Sequence, residues 1–300
     1  MKKTCSFMAA VALCLISIAS RKAIAQDTAS QDMAAGHRQI PPVLEIIVEN
    51  LKEGHGAAHM KVESDWAGAA RRHKMANSLG LVSMTGPSTA WFLVAHASFA
   101  GIGEEEKVFD TPGVRAEFDA LEARDGEHRV SSRSMYAIFR KDLSYHAEDF
   151  SLGKTRYSGI TIFHMKLGHD SDFEEGSKKF IAADEKAGLK DPWLVYQVVG
   201  GTPDDEFIAF SPMESLKSVD DGPMNDKAAR EAMGADEYDR LMKGSGDVFT
   251  AINFNLYSVN PRMSYIAKED EDSDPAFWRP KPAAMKPAAP SASAKPASGQ

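Results

Sequence analysis

An internal repeat constrains the fold of this chain more than any other feature of its sequence. Lys52 lies 114 residues before Lys166. The same offset relates the pairs Gly54 and Gly168, Trp66 and Phe180, Ala69 and Ala183, Gly86 and Gly200, and Ala95 and Ala209. A later pair, Tyr145 and Tyr265, is 120 residues apart. A shared offset over matching segments indicates two copies of one structural unit.

Each copy shows the pattern β-α-β-β-α-β. Alternating β-branched residues predict strands, and apolar residues near a spacing of 3.6 predict helices. The first copy has predicted elements at 43–50, 56–75, 81–85, 90–97, 114–124 and 134–139. The second has them at 160–167, 172–187, 193–199, 206–211, 228–243 and 251–259. This split βαβ order is typical of the ferredoxin-like fold, so we expect an α+β protein.

The first 25 residues predict a signal peptide. Lys2 and Lys3 give a positive start, residues 8–20 are apolar or small, and Ala23 and Ala25 form a small-x-small cleavage pattern. A retained anchor is the alternative, but 13 residues of helix reach only ~20 Å. Cleavage after Ala25 predicts a periplasmic or secreted protein, with no membrane span remaining. Both cysteines are lost with the signal, which excludes disulfides and thiolate chemistry.

Composition divides the remainder of the chain. We expect a flexible lead over 26–40, the first ferredoxin-like repeat over 41–150 and the second over 151–279. Residues 280–300 are rich in Pro, Ala and Lys and predict a disordered tail. Phe277 and Trp278 are expected to hold the start of this tail against the folded body.

The charge balance excludes some functions. The 300 residues carry a net charge of −8, and 43% are hydrophobic, so the chain can bury a core but has no basic surface for nucleic acid. No HExxH, GxSxG, P-loop or GxGxxG motif occurs in a usable context. The sequence therefore predicts no metal site and no catalytic motif, and it leaves oligomerisation open.

The repeat resembles a known superfamily. The element order, the Gly that closes each first strand, the Ser-Pro-Met-Glu-Ser-Leu step at 211–216 and the FRKDLSY and VNPRMSY strand ends are similar to the dimeric α/β-barrel superfamily. Its members include NIPSNAP-like, antibiotic-biosynthesis-monooxygenase-like and EthD-like proteins. The resemblance implies two repeats packed sheet to sheet as a pseudo-dimeric barrel, with a pocket between sheet and helices in each half.

The resemblance also bears on cofactors. Some duplicated proteins of this kind, such as chlorite-dismutase-like ones, bind haem through a histidine on a helix of the C-terminal half. Neither predicted helix of the second copy contains a histidine. We therefore expect no cofactor.

The first predicted helix carries the first candidate site. His59, Glu63 and Trp66 share one helical face. His59 and Glu63 could form a general base with its orienting carboxylate, or half of a metal site, or they could flank the buried stripe and meet solvent. In the second copy Phe173 and Ser177 take their places, so such a site would belong to the first half.

Two further histidines differ between the copies. At the offset of 114, His96 takes the place of Phe210, and His164 takes the place of Asn50. Each is either a buried structural histidine or a pocket residue. His59, Glu63 and His96 are thus the catalytic candidates, and the ligand-binding candidates are Trp66, His164, Tyr196 and Tyr257. The two tyrosines could equally be core aromatics.

These observations favour an exported protein that binds a small apolar or aromatic molecule in a pocket of the first repeat. One alternative is a cofactor-independent monooxygenase-like or isomerase-like enzyme with His59 or His96 as its base. The other alternative is an envelope interaction module. Fold resemblance alone does not decide between binding and catalysis.

Overall fold

The computed structural model describes residues 40–203 and 205–280. The predicted signal peptide over 1–25, the predicted lead apart from Ile40, and the predicted tail apart from Pro280 lie outside the described residues. No helix within 40–203 and 205–280 is long and apolar enough to cross a membrane.

The first half of the fold contains four strands and three helices. In chain order they are β1 (Val43–Leu51), α1 (Gly56–His73), β2 (Ser78–Ser83), β3 (Thr89–His96), α2 (Phe99–Phe109), α3 (Pro112–Asp125) and β4 (Arg129–Phe139).

The second half has the same order of elements. They are β5 (Tyr157–Met165), α4 (Asp170–Ala187), β6 (Leu194–Gly200), β7 (Glu206–Met213), α5 (Lys217–Met233), α6 (Ala235–Val248) and β8 (Phe249–Val259), followed by the short helices α7 (Lys268–Ser273) and α8 (Pro275–Trp278).

The eight strands close into one antiparallel barrel. Their order around it is β1, β3, β2, β8, β5, β7, β6 and β4. Within each half the first strand lies between the third and the fourth, as in a ferredoxin-like sheet. The halves meet where β2 pairs with β8 and where β4 pairs with β6. The α+β class that the sequence predicts is confirmed.

Chain segments that follow each half strengthen these two seams. Tyr145 exchanges backbone hydrogen bonds of 3.0 and 3.1 Å with Trp193, next to β6 of the second half. In the same way Tyr265 exchanges bonds of 2.6 and 2.8 Å with Ser78, in β2 of the first half. Each half therefore extends the sheet of the other, and the barrel is one body.

Because side chains alternate along each strand, one hydrophobic core lies inside the barrel and others lie between the sheet and the helices. In β1, Leu44, Ile46 and Val48 belong to the cluster inside the barrel, whereas Ile47 and Met60 of α1 pack against a cluster outside it. The helices therefore cover the outer face of the sheet, where Glu49 of β1 faces His59 of α1.

Phe277 and Trp278 hold the end of the described chain against this body, which confirms the prediction for them. Trp278 is 5% exposed and its indole nitrogen donates a 2.8 Å hydrogen bond to the carbonyl oxygen of Gly153. The guanidinium of Arg156 lies 3.9 Å from the centre of the Phe277 ring.

Two helical regions differ from the sequence-based prediction. α2 was not predicted, because its two glycines and its run of glutamates look like a solvated loop. Its start is fixed by Ser98, whose hydroxyl accepts a 3.1 Å hydrogen bond from the amide of Gly101. The single helix predicted over 228–243 is two helices, α5 and α6, because Gly234 between them has a φ of +95°.

Strand registers also correct the offset between the halves. α1 and α4 are offset by 114 residues, and the same offset relates Val43 of β1 to Tyr157 of β5. Val43 pairs with His96, however, whereas Tyr157 pairs with Met213, which lies 117 residues after His96. The connection before β7 is thus three residues longer than the one before β3. The counterpart of His96 is Met213, and the prediction that Phe210 occupies this place was wrong.

Candidate functional site

A large cavity lies outside the barrel on the second half, between α4, α6 and the sheet. Its volume is about 730 Å³. Its apolar walls include Phe173 and Phe180 from α4, Val195 from β6 and Leu241 from α6. The sequence placed the pocket on the first half, whereas this cavity lies on the second.

The sixth helix faces this cavity instead of a packed core. Tyr238, Leu241 and Val248 follow one another at spacings of three and seven residues and form an apolar stripe. Leu241 and Val248 line the cavity, and no residue of α6 is buried. An amphipathic helix normally buries such a stripe.

The corresponding helix of the first half shows the packed arrangement. In α3, Val114, Phe118 and Leu121 are buried. The Phe118 ring lies 4.9 Å from the ring of Trp66 on α1 and 5.0 Å from that of Phe109. In the second half Tyr238 contacts Phe180 at 6.1 Å between ring centres, but Leu241 and Val248 of α6 face the open cavity.

Polar groups stand at several points of the cavity wall. His169, which precedes α4, has its Nδ1 2.8 Å from a carboxylate oxygen of Asp172. Lys179 forms ion pairs with Glu175 and Glu237. Burial, together with the charge of Asp226, raises the pKa of Asp184 to about 6. The wall thus offers both cationic and carboxylate groups around an apolar floor.

The histidine content of the second half bears on haem. α4, α5 and α6 contain no histidine. His169 is the histidine that lines the cavity, and it precedes α4 with one ring nitrogen already bound to Asp172. The residues present therefore do not match a helical haem ligand.

A second, smaller cavity of about 100 Å³ lies inside the barrel. Its walls are almost wholly apolar and include Leu44, Leu81, Phe210 and the candidate residue Tyr196. Tyr196 is 2% exposed, and its hydroxyl donates a 2.9 Å hydrogen bond to the carbonyl oxygen of Pro41. Its polar end is therefore satisfied within the protein.

The candidate pair on α1 belongs to a buried polar cluster between α1 and the sheet. His59 is 1% exposed, and its Nδ1 lies 2.7 Å from Oδ1 of Asp125, at the end of α3. Its Nε2 lies 3.5 Å from Oε2 of Glu49, on the outer face of β1. Arg129, at the start of β4, forms ion pairs with both Glu49 and Asp125.

Glu63 completes this cluster. Burial is the main cause that raises its pKa well above the ordinary value, and the charges of Glu49 and Asp125 add to it. Burial also raises the pKa of Glu49, although Arg129 opposes the rise. One donor atom each from Glu49, His59, Glu63 and Asp125 lies within 4.8 Å of the others. His59 and Glu63 do not meet solvent.

Sequence reasoning missed Glu49, Asp125 and Arg129. They come from β1, α3 and β4, which only the closed fold brings beneath α1. A signal was present in β1, where alternation puts Glu49 on the same face as Ile47, the face that α1 covers. Asp125 and Arg129 gave no comparable signal, because both stand at element ends where charged residues are common.

His96 is a buried cation. It is 7% exposed, and its Nδ1 lies 3.4 Å from Oε2 of Glu105 on α2. Burial alone lowers the pKa of His96, but hydrogen bonds and charges from Glu105 and Glu45 outweigh this and raise it to about 9. At neutral pH His96 therefore carries its proton, which does not suit a general base.

The remaining candidates, Trp66, His164 and Tyr257, do not lie together in one site. Trp66 packs against Phe118 beneath α3. His164 has its Nδ1 3.0 Å from Oε1 of buried Glu206, and its Nε2 lies 2.9 Å from the amide of Asn253. Tyr257 is buried inside the barrel, 5.5 Å from Trp91 between ring centres. These three residues do not line either cavity described above.

Comparison with known proteins adds structural likenesses only. No family model matches the sequence, and no curated protein matches it. The structure is similar to an anthrone oxidase-like protein, with 13% identity, a TM-score of 0.49 and coverage of 75% of this chain and 93% of that chain. A mutant chlorite dismutase from Candidatus Nitrospira defluvii matches with 10% identity, a TM-score of 0.47 and coverage of 78% and 96%.

A candidate monooxygenase from Fusobacterium nucleatum subsp. nucleatum matches with 12% identity, a TM-score of 0.46 and coverage of 74% and 94%. These proteins belong to the dimeric α/β-barrel superfamily. At such identities and TM-scores the likeness gives no basis for transferring an activity. The function must be argued from the residues of this chain.

Proposed function

We propose that this protein binds a small molecule with an aromatic or otherwise apolar body in the cavity between α4 and α6. One observation carries the proposal: Leu241 and Val248 of the apolar stripe of α6 face the cavity, and no residue of that helix is buried. A ligand in the cavity would supply the apolar partner that these two side chains lack.

The size and lining of the cavity support this proposal. Ligand sites are commonly clefts of roughly 300–1,000 Å³ with apolar walls and a few polar groups that orient the ligand. This cavity has about 730 Å³ and rings from Phe173, Phe180 and Trp193. Asp184 lines the same cavity and would bind a hydrogen-bonding substituent at the edge of the ligand.

The two candidate histidines do not support a catalytic role at this cavity. His96 is protonated at neutral pH, and His59 is enclosed among carboxylates with Nδ1 bound to Asp125. Neither faces the cavity. A base acting on a ligand between α4 and α6 would have to come from the wall itself, where burial raises the pKa of Asp184 to about 6.

We further propose that the two halves are tandem copies of one unit and that the protein is exported. The matching element order and the offset of 114 residues between α1 and α4 support the duplication. The charged start, apolar stretch and Ala-Ile-Ala pattern support export.

The proposal is tested by filling the cavity. Gly176 of α4 lines it, and a side chain added there meets no atom within 4 Å of its Cβ, so Gly176→Phe places a ring in the open space. The matched control is Gly103→Phe on α2, where a Cβ is equally free of contacts. The probe is 8-anilinonaphthalene-1-sulfonate (ANS), an aromatic anion, followed by its fluorescence.

We expect the wild-type protein and Gly103→Phe to bind ANS at one saturable site with similar affinity. Gly176→Phe should weaken binding by about tenfold or more, about 1.4 kcal/mol, while the far-ultraviolet circular dichroism stays unchanged. Equal affinity in all three proteins, or weakening by Gly103→Phe, contradicts the proposal.

A further inference from the structure

We infer that Glu49, His59 and Glu63 form a binding site for one divalent first-row transition-metal ion, Zn²⁺ or Mn²⁺, beneath α1 in the first half. Asp125 is the group that orients His59 in this site. The inference is independent of the proposed ligand cavity, which lies on the other half of the barrel.

The orientation of His59 is the first argument. With Asp125 Oδ1 at 2.7 Å, Nδ1 carries the ring proton and donates it to the carboxylate. The lone pair of Nε2 is then free, and Nε2 lies in the direction of Glu49 Oε2 at 3.5 Å. Metal-bound histidines are commonly held in this way by a carboxylate on the other ring nitrogen.

Unsatisfied polar atoms are the second argument. His59 Nε2 and Glu49 Oε2 are both buried and have no hydrogen-bond partner. The two side chains are 1% and 4% exposed. A buried polar atom without a partner is costly, and two such acceptors facing each other repel. A cation between them would satisfy both.

Charge is the third argument. Glu49, Glu63 and Asp125 bring three carboxyl groups into one buried space, and Arg129 is the guanidinium that forms ion pairs within it. Buried charges require neutralisation by partners, protons or metal ions. A divalent ion neutralises this group without the protonation of two carboxylates.

The second half shows that the fold does not need this cluster. The positions of Glu49, His59 and Arg129 correspond to Phe163, Phe173 and Phe249 in β5, α4 and β8. These rings pack with centres 5.0 to 6.2 Å apart. The same place beneath the helix is thus filled by an apolar core, so the charges of the first half serve something other than packing.

The donor set selects the class of ion. One imidazole nitrogen with two carboxylates suits Zn²⁺ or Mn²⁺, whereas Mg²⁺ and Ca²⁺ prefer oxygen ligands alone.

The test uses the purified full-length protein, freed of metal with a chelator and titrated separately with ZnCl₂, MnCl₂ and MgCl₂. Calorimetry and thermal unfolding are the readouts. The variants are His59→Gln and Glu49→Gln. The control is His146→Gln, because His146, Glu148 and Asp149 form another group of possible donors, at the surface.

We expect one equivalent of Zn²⁺ or Mn²⁺ to bind the wild type and raise its melting temperature, with binding of Mg²⁺ at least about tenfold weaker. His146→Gln should keep this site. His59→Gln and Glu49→Gln should each lose about tenfold or more in affinity.

A folded wild-type protein that binds neither Zn²⁺ nor Mn²⁺ stoichiometrically overturns the inference, whatever the variants do. It is also overturned if both cluster variants bind like the wild type, or if His146→Gln removes the site. ANS binding is measured on the same samples, so a failure of the cavity proposal is distinguished from a failure of this one.

Discussion

At the scale of residues, equivalent positions in the two halves carry different chemistry. His59 and Phe173 occupy the same place on α1 and α4, and both are buried. One belongs to a cluster of charged groups, whereas the other packs 4.3 Å from the ring of Phe207. Because the backbone around them is alike, the difference reflects the side chains and what they are used for.

His96 gives a prediction for the dependence of stability on pH. Its pKa in the folded protein, about 9, lies above the ordinary value of 6.5. Its contribution to the free energy of unfolding is therefore fully present below about pH 6.5 and is lost as the pH rises through about 9. We expect His96→Gln to be less stable than the wild type at about pH 6, and the difference to shrink by about 1–2 kcal/mol by about pH 10.

This magnitude is smaller than the whole pKa shift would give, because the side chains of Glu45 and Glu105 are 24% and 23% exposed. Urea denaturation at several pH values measures the difference. His169→Gln is the control, since that ring is much more exposed. A difference between wild type and His96→Gln that stays constant with pH would show that His96 is not the cation described here.

Sequence reasoning reached part of the residue-scale picture. The helical spacing of His59, Glu63 and Trp66 was enough to place them on one face of the helix, but it left open whether His59 and Glu63 meet solvent. In the structure both are buried and lie together. The spacing was not enough to find Glu49 and Asp125, because contacts between distant strands and helices depend on barrel closure. The predicted equivalence of His96 and Phe210 was wrong, because the longer connection before β7 shifts the register of that strand by three residues.

At the scale of elements, α3 and α6 are counterparts with opposite packing. α3 buries three apolar residues against α1, whereas α6 buries none. The consequence is local: one half has an outer core and the other has a cavity in its place.

This contrast predicts different costs for truncating an apolar residue in each helix. Phe118→Ala should lower the free energy of unfolding by about 3–5 kcal/mol, because Phe118 is 2% exposed among aromatic rings. Leu241→Ala should cost about 1 kcal/mol or less without ligand, because Leu241 faces open space. Chemical denaturation of both variants measures this, and equal costs would mean that α6 is packed and the cavity closed.

Element prediction succeeded where periodicity was clear. α1 and α4 begin and end within two residues of their predicted bounds, and their last turns are followed by Lys74 and Gly188 in left-handed conformations. α2 was missed because its glycines and glutamates have weak periodicity. The division between α5 and α6 depends on the conformation of Gly234, which composition alone does not fix.

At the scale of the whole molecule, two similar halves share one barrel and divide their chemistry. The reciprocal backbone pairing of Tyr145 with Trp193 and of Tyr265 with Ser78 ties the halves into a single sheet. The polar cluster lies outside the barrel on the first half, and the open cavity lies outside it on the second. The sequence predicted two similar halves in one barrel, but which half holds the cavity depends on how α6 packs.

The proposed ligand site is the cavity between α4 and α6. A crystal structure of the wild-type protein with ANS would show directly where the ligand binds. We expect one ANS molecule with its rings against Phe173, Phe180 and Leu241, residues that line this cavity. ANS located inside the barrel beside Tyr196 or on the exposed ring of Phe254, with no ligand between α4 and α6, would contradict this expectation.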